Sequence, residues 1–202
     1  MSGSTFRNFD KMYEELKNAG YPDINDYKNQ YEYEKALETS TKNFKEFNRI
    51  IIKWLPLIEY KVGGILLLQA SKEKYDGRVI IPIFEDSSSQ DRWRICAAIL
   101  QNPPLFLEKW VREIYFSKKF TYSDTGLLPL IVMKIFPRDE ARDILREGFD
   151  LHHRVAPEAF GKIGRLEDVP FLKEKLLKDY EETHVAKDIA KAIQKILKRE
   201  KM

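Results

Sequence analysis

A chain of 202 residues suits one domain, or a small domain with an extension, and can bury a core. Its hydrophobic share of 43% and charged share of 33% exclude a disordered chain, and no run of about 18 apolar residues is present to cross a membrane. The 35 Lys and Arg nearly balance 32 Asp and Glu, unlike the strongly basic balance of a nucleic-acid-binding domain. The single cysteine, Cys96, excludes an intramolecular disulfide, and Met1-Ser2-Gly3-Ser4 lacks the basic and apolar regions of a signal peptide. Both observations predict a reducing, cytoplasmic setting.

The first 40 residues hold five basic side chains against eight acidic ones, a net of −3. Phe9, Met12, Tyr13 and Leu16 predict a short amphipathic helix stopped by Gly20 and Pro22. A tyrosine-rich stretch follows, with Ile24, Tyr27, Tyr31 and Tyr33. Residues 44–57 then place Phe44, Phe47, Ile50, Ile51, Trp54 and Leu55 on one helical stripe, and Gly64, Leu67 and Leu68 mark the next helix. Residues 78–84 have the apolar run of a buried strand, but their place in the pattern predicts a helix over 79–84 interrupted by Pro82. After a polar linker at 86–90, Ile95, Ala98 and Ile99 carry a helix. Pro103-Pro104 is expected in the first turn of another, with Leu105, Leu107, Trp110, Val111 and Ile114 on its core stripe.

Leu128, Ile131, Val132 and Ile135 follow, then helices over 139–149 and around Ala156, Ala159, Phe160 and Ile163. Residues 169–177 start with Pro170 in a first turn, and Val185, Ile189, Ala192, Ile193 and Ile196 close the chain on one narrow stripe. Residues 183–202 carry six basic side chains against two acidic ones, a net of +4. Lysines in the last turns of a helix complement its dipole, and this reading outweighs a phosphate-binding one.

The helices repeat. Ala156, Ala159, Phe160 and Ile163 superpose on Ile189, Ala192, Ile193 and Ile196 at a spacing of 33, and the anchors Leu67, Ala98, Ile131, Ala159 and Ala192 recur at intervals of 31, 33, 28 and 33. Ala159-Phe160-Gly161-Lys162-Ile163-Gly164, followed by Glu167-Asp168-Val169-Pro170-Phe171-Leu172, resembles the join between two HEAT-type repeats. Asp86, with Arg92 six residues on and then Ala97-Ala98-Ile99-Leu100, resembles the Asp and Arg that form a ladder between HEAT units. Elsewhere the position of Arg92 is filled by Lys61, Thr125, His153 and Ala186, which departs from that ladder.

The chain is thus similar to small bacterial HEAT-repeat (armadillo-like) proteins over about residues 44–199. The resemblance implies an all-α, right-handed α-α superhelix of four to five hairpins over residues 41–202. Residues 1–40 are then an N-terminal helical cap on the first repeat's apolar face.

No motif for chemistry stands out. His152-His153 places two rings about 100° apart on a helix, too far to share one ion, and Glu181-Glu182-Thr183-His184 supplies a lone Glu-x-x-His. Cys96 sits on a core-facing stripe, and Gly63-Gly64 and Gly161-Lys162-Ile163-Gly164 lack the Walker spacing and read as close helix packing. No catalytic residue, metal or cofactor is expected.

The reading is a monomeric, non-enzymatic repeat protein whose concave face, lacking a deep pocket, binds another macromolecule, most simply a protein, in an inhibitor or immunity-type role. Register from the anchors turns Trp93, Gln101, Lys134, Arg154, Glu158, Lys162 and Lys187 to solvent on the second helices, with Trp93 and Arg154 both five residues before an anchor. The alternative is nucleic-acid binding or repair of the alkylpurine glycosylase kind found on HEAT-like folds, with Trp93, Arg94 and Asp124 cast in the roles.

Overall fold

The computed structural model describes residues 6–23, 43–70, 73–178 and 183–200, with positions 26, 28 and 32. The described residues are helical apart from turns, loops and one isolated parallel β-bridge. No described helix is long and apolar enough to cross a membrane. The chain forms two compact units, 1–106 and 107–202.

The first unit contains α1 (Arg7–Asn18), α2 (Phe44–Trp54), α3 (Lys61–Ala70), a 3₁₀ turn (Gly77–Ile80), α4 (Ile81–Asp86) and α5 (Ser89–Gln101). Helix α1 buries Met12 and Leu16 and ends where Gly20 takes φ +92°, a left-handed conformation that costs glycine nothing. It packs on α2, where Glu15 accepts from Lys53 Nζ and from the Trp54 indole N–H, both at 2.6 Å. Trp54, expected in the core, is therefore only half-buried, because its N–H needs a polar partner. The other residues of that stripe, Phe44, Phe47, Ile50, Ile51 and Leu55, are buried. Ile24, Tyr27, Tyr31 and Tyr33 lie outside the described residues.

Pro82 does not interrupt a helix. A 3₁₀ turn capped by Asp76 leads into α4, and Pro82 sits in its first turn, where no N–H is required. Ser88 caps α5 by accepting from the Asp91 N–H at 3.2 Å. Pro103-Pro104 does not open a helix either. Leu105 N–H donates to Tyr75 O at 2.9 Å and Gly77 N–H to Leu105 O at 2.8 Å, so the segment is extended and Leu105 is 45% exposed. Phe106 follows with φ +64°, unfavourable for a bulky side chain, under the guanidinium of Arg78 at 5.3 Å. Buried Asn102 and Asn48 brace the unit: Asn102 Nδ2 donates to Leu68 O and Glu73 O, and Asn48 Nδ2 to Glu73 O.

The second unit contains α6 (Glu108–Phe116), α7 (Tyr122–Thr125), α8 (Leu128–Ile135), α9 (Arg138–Glu147), α10 (Ala156–Ile163), α11 (Val169–Leu176) and α12 (Thr183–Arg199). Two 3₁₀ turns, Phe149–Leu151 and Leu166–Asp168, precede α10 and α11. Helix α8 packs on α6, α9 and α10, and α12 packs on α10 and α11.

Helices α10 and α12 bury Ala159, Phe160, Ile189 and Ile196 fully. At Gly161 the helices come so close that a Cβ would stand 3.5 Å from Ala192 Cα. Of the repeat anchors, Ala98, Ile131, Ala159 and Ala192 are buried; Leu67 is half-buried, and Leu68 fills the core beside it.

Two arginines close α10. Arg138 Nε donates to Ile163 O at 2.8 Å, and Arg199 donates to Gly161 O, Lys162 O and Gly164 O. They satisfy carbonyls left without intrahelical partners at the negative end of the dipole. Arg199, counted with the basic tail of its own helix, thus serves its neighbour.

Buried Asp168 ties α9 to the turn before α11. It accepts from Arg142 Nε at 2.7 Å, Arg146 Nη2 at 2.5 Å and the Arg165 N–H at 2.8 Å. Burial opposes its ionisation, but these donors outweigh it and hold the carboxyl below the usual range.

Candidate functional site

The surface singled out by register divides between the two units. In the first, Trp93 rises from the first turns of α5 and is 48% exposed, while Ile95, Cys96, Ala98 and Ile99 on the same helix are buried. Gln101, at the end of α5, accepts from Gln69 Nε2 of α3, and Leu66 on α3 is also exposed. This face is aromatic, aliphatic and amide in character.

In the second unit Lys134, Arg154, Glu158, Lys162 and Lys187 are all exposed. Arg154 is not on a helix as expected but in the turn before α10, because α10 begins at Ala156. Its guanidinium lies 4.7 Å from the centre of the Tyr122 ring, and Tyr122 is itself 45% exposed. Glu158 and Lys162 pair with each other at 2.7 Å.

Helix α12 exposes Lys187, Lys191, Lys195 and Lys198, a spacing that places them along one side. Lys191 pairs with Asp188 at 3.0 Å. Between α10 and α12 lies a shallow depression of about 230 Å³ lined by Arg154, Pro157, Glu158, Asp188, Lys191, Ala192 and Lys195. One guanidinium, two ammonium groups and two carboxylates line it.

The chemical candidates take other roles. His152 and His153 lie in a turn, not on a helix. His152 is buried, stacked on Tyr115 at 4.2 Å with its Nε2 2.7 Å from Tyr115 O, and burial pushes its pKa down. His153 Nδ1 is 3.1 Å from Asp150 O. Cys96 is buried. Asp124 is buried and completes a capping box with Thr121, its Oδ2 accepting from Thr121 N–H and Oγ1 at 2.7 Å each. Arg94 pairs with Asp91 at 3.3 Å. Glu181 and Glu182 lie outside the described residues. Among the described residues, no group of three or more His, Cys, Asp or Glu is placed to hold a metal ion.

A pocket that the sequence did not foretell lies in the first unit. It is a cleft of about 600 Å³ between the α2–α3 turn and the α4–α5 turn. Ile52, Leu55, Val62, Val79, Pro82 and Ile83 supply its apolar surface, and Glu59, Asp86, Asp91 and Lys61 its charges. The cleft's residues come from four segments, each of which reads as an ordinary helix end.

Asp86 and Arg92 are the residues that resemble the HEAT ladder between units. Arg92 Nε donates to Phe84 O at 3.0 Å and Nη2 to Glu85 O at 2.8 Å, satisfying the end of α4. Asp86 receives no hydrogen bond or ion pair among the described residues. Comparison with protein-family models, with curated proteins and with solved structures finds no match to the chain.

Proposed function

We propose that the chain is a non-enzymatic, HEAT-like α-solenoid that binds another macromolecule, most fittingly a protein, through the solvent-facing sides of its second helices. The observation that carries this reading is the division of side chains on those helices. Four of the five small and aliphatic anchors are buried, while six of the register-selected positions stand exposed on these helices, Trp93 among them at 48%, and Arg154 stands exposed in the turn before α10. Direct packing of α3 on α5, of α8 on α10 and of α10 on α12 supports a repeat in which each hairpin stacks its second helix on the next. A large exposed indole is the kind of group that dominates interface energies.

The test is affinity capture with the intact chain, followed by titration of the captured protein against wild type and Trp93→Ala. A central Trp93 predicts at least a tenfold loss of affinity, about 1.4 kcal/mol. An unchanged dissociation constant removes Trp93, and the face it defines, from the binding surface.

The file Lys187, Lys191, Lys195 and Lys198 supports a second reading, binding to nucleic-acid phosphates. Four phosphate contacts predict a log–log salt slope near −3.6 on duplex DNA, at about −0.9 per contact. A protein interface centred on Trp93 predicts a much flatter dependence.

A further inference from the structure

We propose that the cleft of the first unit is a docking site for a cationic amphipathic peptide segment of a partner protein, which seats apolar side chains on Ile52, Val79 and Pro82, above a floor of Leu55, Val62 and Ile83, and sets a lysine or arginine against Asp86. This site is separate from the second-helix faces and does not depend on that reading. Leu55, Val62 and Ile83 are each less than a tenth exposed, so the floor is packed and preformed. The volume of about 600 Å³ lies within the range of specific ligand pockets. The cleft is also open, which suits a chain that enters and leaves better than an enclosed metabolite.

Charge selects the occupant. Three carboxylates and one ammonium line the cleft. Glu59 is committed to the amides of Asn8 and Phe9 at 3.1–3.2 Å, and Asp91 to Ser88 and Arg94. Asp86 differs. It is the last residue of α4, where the helix dipole already places negative charge, so the dipole reinforces its field. Arg92, the nearest arginine in sequence on α5, donates to the carbonyls of Phe84 and Glu85. An exposed carboxylate at the wrong end of a helix, beside an apolar floor, fits a ligand that brings its own cation.

The experiment uses the intact chain and a fluorescein-labelled helical peptide of leucine and lysine, with its leucine–glutamate counterpart as the anionic control, read by fluorescence anisotropy at about 0.15 M salt. The cationic peptide binds and the anionic one does not. Asp86→Asn weakens binding about fivefold, Val79→Lys at least about tenfold by placing a cation at the cleft, and Glu85→Gln, an exposed carboxylate outside the lining, changes it less than about twofold.

Circular dichroism melts verify that Val79→Lys is folded, and Asp86→Asn, a surface change, stands as the second variant. The proposal is overturned if wild type fails to bind the cationic peptide, or if Asp86→Asn binds it with wild-type affinity. It is equally overturned if the anionic peptide binds as tightly, or if decyltrimethylammonium shows the Asp86 dependence while the peptide does not bind. That last outcome assigns the cleft to small organic cations.

Discussion

Replacing Asp168 by asparagine removes one negative charge from a site where the carboxylate is fully buried and the Arg142 side chain is 5% exposed. The carboxylate receives two charge-assisted hydrogen bonds, from Arg142 at 2.7 Å and Arg146 at 2.5 Å, in addition to the Arg165 N–H. Asparagine keeps one oxygen acceptor, so it loses one such bond outright and the charge behind the other, about 3 kcal/mol in all. Arg142 keeps Glu167 and Asp139 (3.0 Å), both more than 60% exposed, which holds the cost to about that level.

Urea unfolding followed by circular dichroism, at pH 7, measures this as a lower midpoint with an unchanged slope. The pH dependence supplies an independent signature. Asp168 ionises more readily folded than unfolded, so its stabilisation is complete above its ordinary pKa of 3.8 and is lost as pH falls through the depressed folded value. Asp168→Asn therefore flattens the acid limb of the stability curve. As a control, Glu158→Ala breaks the exposed Glu158–Lys162 pair and costs no more than about 0.5 kcal/mol beyond helix propensity. A midpoint for Asp168→Asn within about 1 kcal/mol of wild type refutes the view that this cluster holds the second unit together.

Three further expectations follow from burial. His152 is held below its ordinary 6.5 by burial, reinforced by the charge of His153 and opposed by the Tyr115 carbonyl. The unfolded chain thus binds more protons in that window, stability declines as pH falls below 6.5, and the pH slope is shallower in His152→Gln; identical slopes in urea titrations contradict it. Cys96, fully buried, stays inert to Ellman's reagent in native buffer and reacts completely in denaturant; stoichiometric native reaction places it at the surface instead. Ala192→Leu adds bulk where a Gly161 Cβ would already stand 3.7 Å from Ala192 Cβ, and overpacking costs about 1–3 kcal/mol, read as a drop in the urea midpoint.

The anchors show what kind of information was available from sequence. Helical spacing of apolar residues reports which side of a helix is buried, and at Ala98, Ile131, Ala159 and Ala192 that reading agrees with the structure. The same periodicity, read on the opposite side, located the exposed positions from Trp93 to Lys187. It erred where a local rule met a competing hydrogen bond. At Leu105 a backbone bridge to Tyr75 and Gly77 overrides the helical pattern, and at Trp54 the indole N–H turns out toward Glu15. At Pro82 the error was one of position, since proline begins α4.

The sequence by itself determined the all-helical class, the alternation of buried and exposed sides and the buried setting of Cys96, because each follows from periodicity within one helix. Only the tertiary structure decided that Arg142 and Arg146 converge on Asp168, that Arg138 and Arg199 close α10, and that four helix ends enclose a cleft beside Asp86. Those arrangements join residues 22 to 38 positions apart or more, and long polar side chains can reach several partners. The choice among them is made when the packed helices bring a particular carboxylate or carbonyl within hydrogen-bonding distance.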